Sequence, residues 1–469
     1  MVLAACALIS GFRRTRRRSH GRPGREREDY GLTAGRARRR RGWLAPAGIG
    51  SRLDAVIRYV DGQLDGAAER LIALCHLCSG STERALTAEQ RTCADWFVKE
   101  LRGIGFSASV RDAPGRPIVV GHDRGSEGPS VLFCGYCEVG PARLLHDWKD
   151  NAANSLASAG SVDQATQLMA FVEACRAWKA VAGQLPTPVS VLVEGEGRLG
   201  SARLTSFLRM YADELRADIG LAPAARISCH AVPTINSMLR GLCCEEFVIV
   251  PTGSDQLAGR RSEALTNPTR ILARILLDLH EPSGQVAIPG FYSGVDPPHL
   301  RGTGRFGSIQ FRPTCDIDRI SGGRGDGGPR PGMSQHAFAR LCFHLVCDQD
   351  PDLVRQAFRD FARIRVPPSL QIEFTSCTSA PPIRFTISRP AFGKAQDALT
   401  AEWGRQAVFA CGDAAPVVHA LREALGMEVI VTSLPERRDG GRGPRETPEA
   451  ANYRFGIHAW ARILDALSQ

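Results

Sequence analysis

The chain has 469 residues, of which 43% are hydrophobic and 23% are charged, a composition typical of a globular protein with roughly two or three domains. It contains no run of about 18 apolar residues, so the sequence excludes a membrane-spanning helix. The formal net charge is +10, but residues 1–45 carry 13 arginines and three acidic residues, which leaves 46 basic and 46 acidic residues elsewhere. The part expected to fold therefore has no charge excess that would favour a nucleic-acid partner.

Residues 1–50 form an Arg-rich tail that is predicted to be disordered, because it has few apolar residues to bury. Its arginines follow the apolar stretch MVLAACALI instead of preceding it, which argues against a secretory signal. A transit peptide, an RNA-binding arm and a start codon upstream of the true one remain open interpretations. Most of the 15 cysteines lie in apolar contexts typical of reduced core residues, so a cytoplasmic protein is expected.

Helices and strands alternate along the next part of the chain, which indicates a mostly parallel, doubly wound α/β sheet. Apolar residues recur at helical spacing over residues 53–77, and a second helix is predicted over residues 87–101. The following elements are predicted as strands near residues 106–110, 117–122 and 130–136, a helix at 167–181, a strand at 188–197, a helix at 202–215 and a strand at 217–222.

The pattern changes near residues 238–242, where a unit with an antiparallel sheet is predicted to begin. Its elements are predicted as strands at residues 245–251, 308–312, 337–346 and 369–375 and helices at 267–280 and 351–363. From about residue 390 the α/β pattern resumes, with helices at 391–403 and 456–468 and a strand at 428–433. Residues 51–240 and 389–469 are therefore predicted to form one α/β domain, into which residues 241–388 insert as an α+β domain.

Several segments closely resemble the di-zinc metallopeptidase family that includes carnosinase, aminoacylase and succinyl-diaminopimelate desuccinylase. The matching segments read CADWFVKELRGIGFSASVRDAPGRPIVVGH, QLMAFVEACRAWKAV, INSMLRGL, NPTRILARILLDLHEPSGQVAIPGFYSGV, LVCDQDPD and GIHAWARIL. They occur in the family's order and at similar spacing. The resemblance implies a cytosolic dipeptidase-like fold whose inserted domain is a lid that joins two copies into a homodimer.

The resemblance also implies a specific chemistry. Members of this family hold two zinc ions with His nitrogens and carboxylate oxygens at the ends of sheet strands. The ions deprotonate a bridging water near neutral pH, and a glutamate acts as the general base. The sequence can therefore be compared with the family at each ligand position.

The first two positions lie after the strand at residues 130–136 and in the segment that follows it. A histidine ligand is expected in a GHYDVQP-like turn, where this chain has Tyr136, and Glu138 replaces the aspartate that would orient the histidine. A phenol with a pKa of about 10 is a poor zinc ligand at neutral pH. The bridging aspartate is matched by Asp163 in GSVDQATQLM.

The other four positions have lost most of their expected groups. In the EGEEESGS-like turn, Gly197 occupies the position of the general base and Arg198 that of a metal carboxylate. Ala224 replaces the next aspartate ligand, and Glu446 replaces the C-terminal histidine ligand. Asp163 and Glu446 are thus the remaining metal-ligand candidates, and no cofactor is expected, with zinc only if the family chemistry survives.

Three alternatives for the residues around this site remain open. Arg198 could take the vacated cationic place and pair with Asp163, or both could face solvent. Asp163, Glu196 and Glu446 could form a weak all-oxygen site for magnesium or manganese. Cys134 is predicted to pack in the core and not to act as a nucleophile.

These replacements predict a catalytically impaired pseudoenzyme of the dipeptidase and amidohydrolase scaffold, which acts through binding or subunit pairing. The alternatives are a functional metallopeptidase that hydrolyses dipeptides or N-acyl amino acids, and a degraded reading frame. Two lid positions also differ from the family, because Leu257 stands for a histidine that reaches across the dimer and His344 for an arginine. No membrane or nucleic-acid partner is expected for the folded part.

Overall fold

The structure of the chain is a computed structural model. It describes residues 51–77, 86–112, 117–136, 160–194, 202–224, 232–252, 267–295, 312–322, 336–346, 348–434 and 448–469. These residues belong to one compact unit, Gly50–Gln469.

The described helices are Arg52–Gly62 (α1), Leu64–Leu77 (α2), Leu86–Gly103 (α3), Gly160–Ala182 (α4), Ala202–Met210 (α5), Ala212–Leu215 (α6), Pro268–Leu277 (α7), Pro351–Arg363 (α8), Pro390–Trp403 (α9), Pro416–Leu425 (α10) and Pro448–Ser468 (α11). None of these helices is long and apolar enough to cross a lipid bilayer.

The described strands are Ser107–Asp112 (β1), Pro117–Asp123 (β2), Val131–Tyr136 (β3), Val189–Glu194 (β4), Ile219–Pro223 (β5), Thr234–Leu239 (β6), Gly241–Pro251 (β7), Thr314–Gly322 (β8), Ala337–Leu345 (β9), Leu370–Ala380 (β10), Ile383–Arg384 (β11), Val408–Gly412 (β12) and Val429–Ser433 (β13).

The larger sheet has nine strands in the order β1-β2-β4-β3-β5-β13-β6-β11, with β12 paired to β6. Its centre is a parallel block, because β3 runs parallel to both β4 and β5, and β5 runs parallel to β13. Antiparallel strands extend the block on both sides. The predicted α/β class with a mostly parallel sheet is confirmed.

The core of this domain packs α4 and α11 against the middle of the parallel block. Phe133 of β3 stacks on Phe171 of α4, with ring centroids 3.8 Å apart, and Trp460 of α11 meets both rings edge-on. All three side chains are buried. Gly135 lets α4 approach closely, since an added Cβ would lie 2.9 Å from a methyl carbon of Leu168. The sequence at the end of β3 thus fixes the position of α4 against the strand.

The smaller sheet is separate and antiparallel, with the order β10-β7-β9-β8. Its helices α7 and α8 each begin with a side-chain cap followed by proline: Asn267 caps the helix that starts at Pro268, and Asp350 caps the one that starts at Pro351. Alternate residues of β7 and β9 bury an apolar face with these helices. All four strands come from residues 241–380, within the predicted insert, whose exact boundaries stay a prediction.

Several elements differ from those predicted. The helix expected over residues 53–77 is two helices that meet at Gln63, and α4 begins seven residues earlier than expected. A strand was expected near residues 308–312, of which residues 308–311 lie outside the described part. The strand described in this region runs over Thr314–Gly322. The elements that were not predicted are β6, β11, β12 and α10.

Candidate functional site

The candidate site lies at the carboxyl ends of the parallel strands, where ligands bind in open α/β sheets. Tyr136, the last residue of β3, is paired with Glu194, the last residue of β4. Ala224 follows β5 directly, and its backbone N–H donates a hydrogen bond to the carbonyl oxygen of Thr432 in β13, 2.8 Å away. The backbone thus places two of the predicted ligand positions, 136 and 224, on adjacent strands at one sheet edge.

The position of Asp163 is fixed by the helix that carries it. Asp163 is the fourth residue of α4, five residues before Leu168, which packs against the end of β3. At about 1.5 Å of rise per residue, the start of α4 extends roughly 7 Å past this contact. The family's bridging-aspartate position is therefore in the first turn of a helix held against β3.

Glu194 is a buried carboxylate at this edge that the sequence analysis did not single out as a site residue. Its side chain is only 3% exposed, and it lies beside the buried thiol of Cys134. Burial raises the pKa of Cys134 well above its ordinary value, and the charge of Glu194 raises it further. Cys134 is therefore an inert core thiol, as predicted.

Most of the remaining candidate residues lie outside the described part of the chain; these are Gly197, Arg198, Glu196, Glu446 and Leu257. The Arg198–Asp163 ion pair and the all-oxygen site therefore stay predictions.

His344, in contrast, is described. It lies on β9 in the smaller sheet, where its Nε2 is 3.2 Å from Oδ2 of Asp316 on β8. His344 therefore has a polar partner within its own sheet.

Ala224 is the predicted ligand position whose side chain is described, and this side chain cannot bind zinc. The methyl group of Ala224 has no lone pair to offer a metal, and the backbone N–H of this residue is engaged with β13. Among the residues whose side chains are described, no group of three or more His, Cys, Asp and Glu residues is arranged to hold a metal ion.

A second constellation of polar residues lies at the other end of β4. His122 of β2 bonds to the hydroxyl of Ser190 through Nδ1 at 2.8 Å and to Glu214 through Nε2 at 2.9 Å. His122 is half-buried in this contact. Ser190 lies inside a strand paired on both sides, where backbone N–H groups serve the sheet ladders, so we interpret this group as a structural link between the sheet and α6.

Comparison with known proteins identifies the origin of this fold. No protein-family model matches the chain. The Cys-Gly metallodipeptidase of Candida albicans is 22% identical over 451 residues, which cover 82% of this chain and 91% of that protein. The Cys-Gly metallodipeptidase of Schizosaccharomyces pombe is 24% identical over 264 residues, 52% of this chain and 55% of the relative, so that match spans about half of the relative's length.

A solved structure agrees with these relatives. The dipeptidase Dug1p of Saccharomyces cerevisiae superposes with a TM-score of 0.73 at 18% identity, over 89% of this chain and 98% of that chain. The chain is similar in sequence and in fold to metallodipeptidases, and a metallo-carboxypeptidase of the M20 family from Sulfolobus solfataricus superposes with a TM-score of 0.67 at 18% identity, over 86% of this chain and 99% of that chain. The resemblance inferred from the sequence is thereby confirmed. The shared fold accounts for the two sheets, and similarity of fold does not by itself assign an activity.

Proposed function

We propose that this chain is an M20-family protein that has lost its hydrolytic metal centre and acts, if at all, by binding or by pairing with a second subunit. The proposal concerns chemistry that the scaffold alone does not decide. It depends on which side chains occupy the family's ligand and base positions.

Ala224 carries the proposal, because its place at the strand ends is defined by the fold. The family's aspartate at this position would supply a carboxylate oxygen to a zinc ion, and alanine supplies none. The strand ahead of it is fully buried and is paired in register with β13, which supports the assignment of position 224 to the end of this strand. The loss is therefore a change of side chain within a retained framework.

The other replacements act in the same direction. Tyr136 offers a phenol in place of an imidazole, Arg198 brings a positive charge to a cation site, and Gly197 provides no base. Removing even an outer-shell partner of a metal site typically lowers affinity or activity by about 10–100-fold. Several ligand losses together are expected to prevent binding of a metal pair.

Zinc titration of the purified chain tests this proposal. We expect no saturable heat in isothermal titration with zinc at micromolar protein, and no hydrolysis of the dipeptide Cys-Gly, after which the yeast relatives are named. The matched control restores the family residues through Tyr136→His, Gly197→Glu, Arg198→Glu, Ala224→Asp and Glu446→His. Zinc binding by this variant alone would support the proposal. Tight zinc binding by the unmodified chain, with peptide hydrolysis, would contradict it.

Two further features of the family are extended to this chain as proposals. Pairing of two copies through the domain of the smaller sheet is supported by the retention of that sheet with its two helices. A cytoplasmic location is supported by the thiols that the structure describes, since each of these cysteines is unpaired by a disulfide. The oligomeric state is measurable by light scattering of the purified chain.

A further inference from the structure

Two thiols face each other on the side of the smaller sheet that turns away from α7 and α8. Cys244 of β7 is the direct cross-strand partner of Cys342 of β9. Successive residues of a strand point to opposite faces, so Cys243 points instead into the apolar core beneath the helices. The Cys244–Cys342 pair is therefore distinct from the core cysteines and from the candidate metal site.

The register of β7 and β9 already provides the backbone geometry of a disulfide. Directly opposed residues of an antiparallel pair have Cα atoms about 4.5 or 5.5 Å apart. Disulfides span Cα separations of about 4.4–6.8 Å, so either type of pairing falls inside the range. The two cysteines are free thiols in this structure, and a hydrogen bond between their side chains shifts the pKa of each. A bond between the sulfurs would need side-chain rotation and little backbone movement.

The two thiols have different surroundings. Cys342 is half-buried, whereas Cys244 is only 1% exposed. The hydrogen bond from Cys244 lowers the pKa of Cys342 below its ordinary value, although burial and the charge of Asp318 act against this shift; Arg340 also lowers it. The same hydrogen bond and burial raise the pKa of Cys244. Cys342 is thus the more accessible thiol and the one whose pKa is lowered, and Cys244 is the buried thiol beside it.

We propose that Cys342 and Cys244 form a peroxide-sensitive thiol pair that closes reversibly to a cross-strand disulfide. The Cys342 thiolate attacks one oxygen of hydrogen peroxide and breaks the O–O bond, giving a sulfenic acid and, after protonation of the leaving hydroxide, one water. The sulfur of Cys244 then attacks the sulfenic sulfur, loses its proton and displaces a second water as the S–S bond forms. The two thiols lose two electrons, and peroxide gains them.

Cys377 provides an internal comparison on the same sheet. It lies on β10, where the ladder with β7 is irregular between Ser376 and Ser379, so it has no regular cross-strand partner. Its sulfur contacts the carbonyl oxygen of Thr375 in its own strand at 3.7 Å, and burial together with Glu246 raises its pKa. Cys377 is therefore partly exposed but is poorly placed and poorly activated compared with Cys342.

Peptide mapping of the peroxide-treated full chain tests the inference. The chain is treated with limiting hydrogen peroxide, its remaining thiols are alkylated, and the digest is analysed without reduction. We expect a cross-linked peptide that joins Cys244 to Cys342 and that dithiothreitol releases. The cross-link should disappear in Cys244→Ser, in which dimedone should label the sulfenic acid of Cys342, and it should persist in Cys377→Ser.

The map of the unmodified chain decides the outcome even if a serine variant folds poorly. The inference is overturned if Cys342 remains alkylatable at a peroxide concentration that oxidises Cys377. It is also overturned if the cross-link joins Cys377 instead, or if Cys342 is oxidised without forming a bond to Cys244. These readouts are independent of metal content, so the thiol pair can fail while the proposed loss of the metal centre stands.

Discussion

The buried carboxylate of Glu245 provides a sharp stability prediction for the smaller sheet. Glu245 lies on the helix-facing side of β7 and is completely buried. Two arginines of α8 neutralise it: Nε of Arg355 is 3.1 Å from one carboxylate oxygen, and Nε of Arg359 is 2.7 Å from the other. The two guanidinium groups join α8 to β7, and both arginine side chains are partly exposed to solvent.

The three side chains should respond unequally to substitution. Replacing both arginines by methionine leaves a buried, unpaired carboxylate, which typically costs about 3–5 kcal/mol. Glu245→Met should cost less, because Arg355 and Arg359 are 12% and 23% exposed and keep Asp352 and Ser376 as partners. With all three replaced by methionine, stability should return close to that of the parent, since apolar substitutes for a buried ion pair are often neutral or stabilising.

Differential scanning calorimetry of the four proteins measures this asymmetry. At about 2–4 °C per kcal/mol for a cooperative unit of roughly 150–250 residues, near the size of the predicted inserted domain, the double arginine variant should melt roughly 6–20 °C below the parent. The triple variant should recover most of that loss. The reasoning is refuted if Glu245→Met is as damaging as the double variant, or if the effects in the triple variant simply add.

Two other predictions concern the larger domain. Gly135→Ala places a methyl group 2.9 Å from a leucine of α4 and should destabilise the chain by about 1–3 kcal/mol. The control is Gly393→Ala, at an exposed helix position with open space around it, which should not destabilise the chain. Thermal melting of the two variants compares these effects. The second concerns Glu402: burial acts to raise its pKa, but hydrogen bonds and charges from His458 and Arg462 lower it overall. A lowered folded-state pKa gives stability that is present above the unfolded value and is lost as pH falls through the folded value. Glu402→Gln should therefore flatten the acid side of the stability–pH curve, and an unchanged slope would contradict this assignment.

The sequence predicted those elements that show clear periodicity. The four parallel strands at the centre are short apolar runs, and their positions are close to those predicted. The sequence also contains start and stop signals for α10, which was not predicted. Pro416 begins this helix, and Gly426, with φ of 67°, ends it. The strand β6 was less readable, because its buried Thr234 and Asn236 interrupt any apolar pattern.

Contacts between distant segments could not be predicted from a single sequence. The pairing of Cys244 with Cys342 depends on the register of two strands far apart in the chain, and a shift by one residue would place them on opposite faces. The arginine partners of Glu245 come from a helix that follows two further strands. The family resemblance, in contrast, predicted ligand positions directly; the backbone places residues 136 and 224 at one sheet edge, and their role as ligand positions stays a prediction.

The metal content of the chain purified from zinc-supplemented cells tests the central proposal most directly. Inductively coupled plasma mass spectrometry, referred to protein concentration, would count the bound ions. A chain with Ala224 among its ligand positions should carry far less than one zinc ion per molecule. About two zinc ions per chain, retained through gel filtration, would show an intact di-metal centre and contradict the proposed loss.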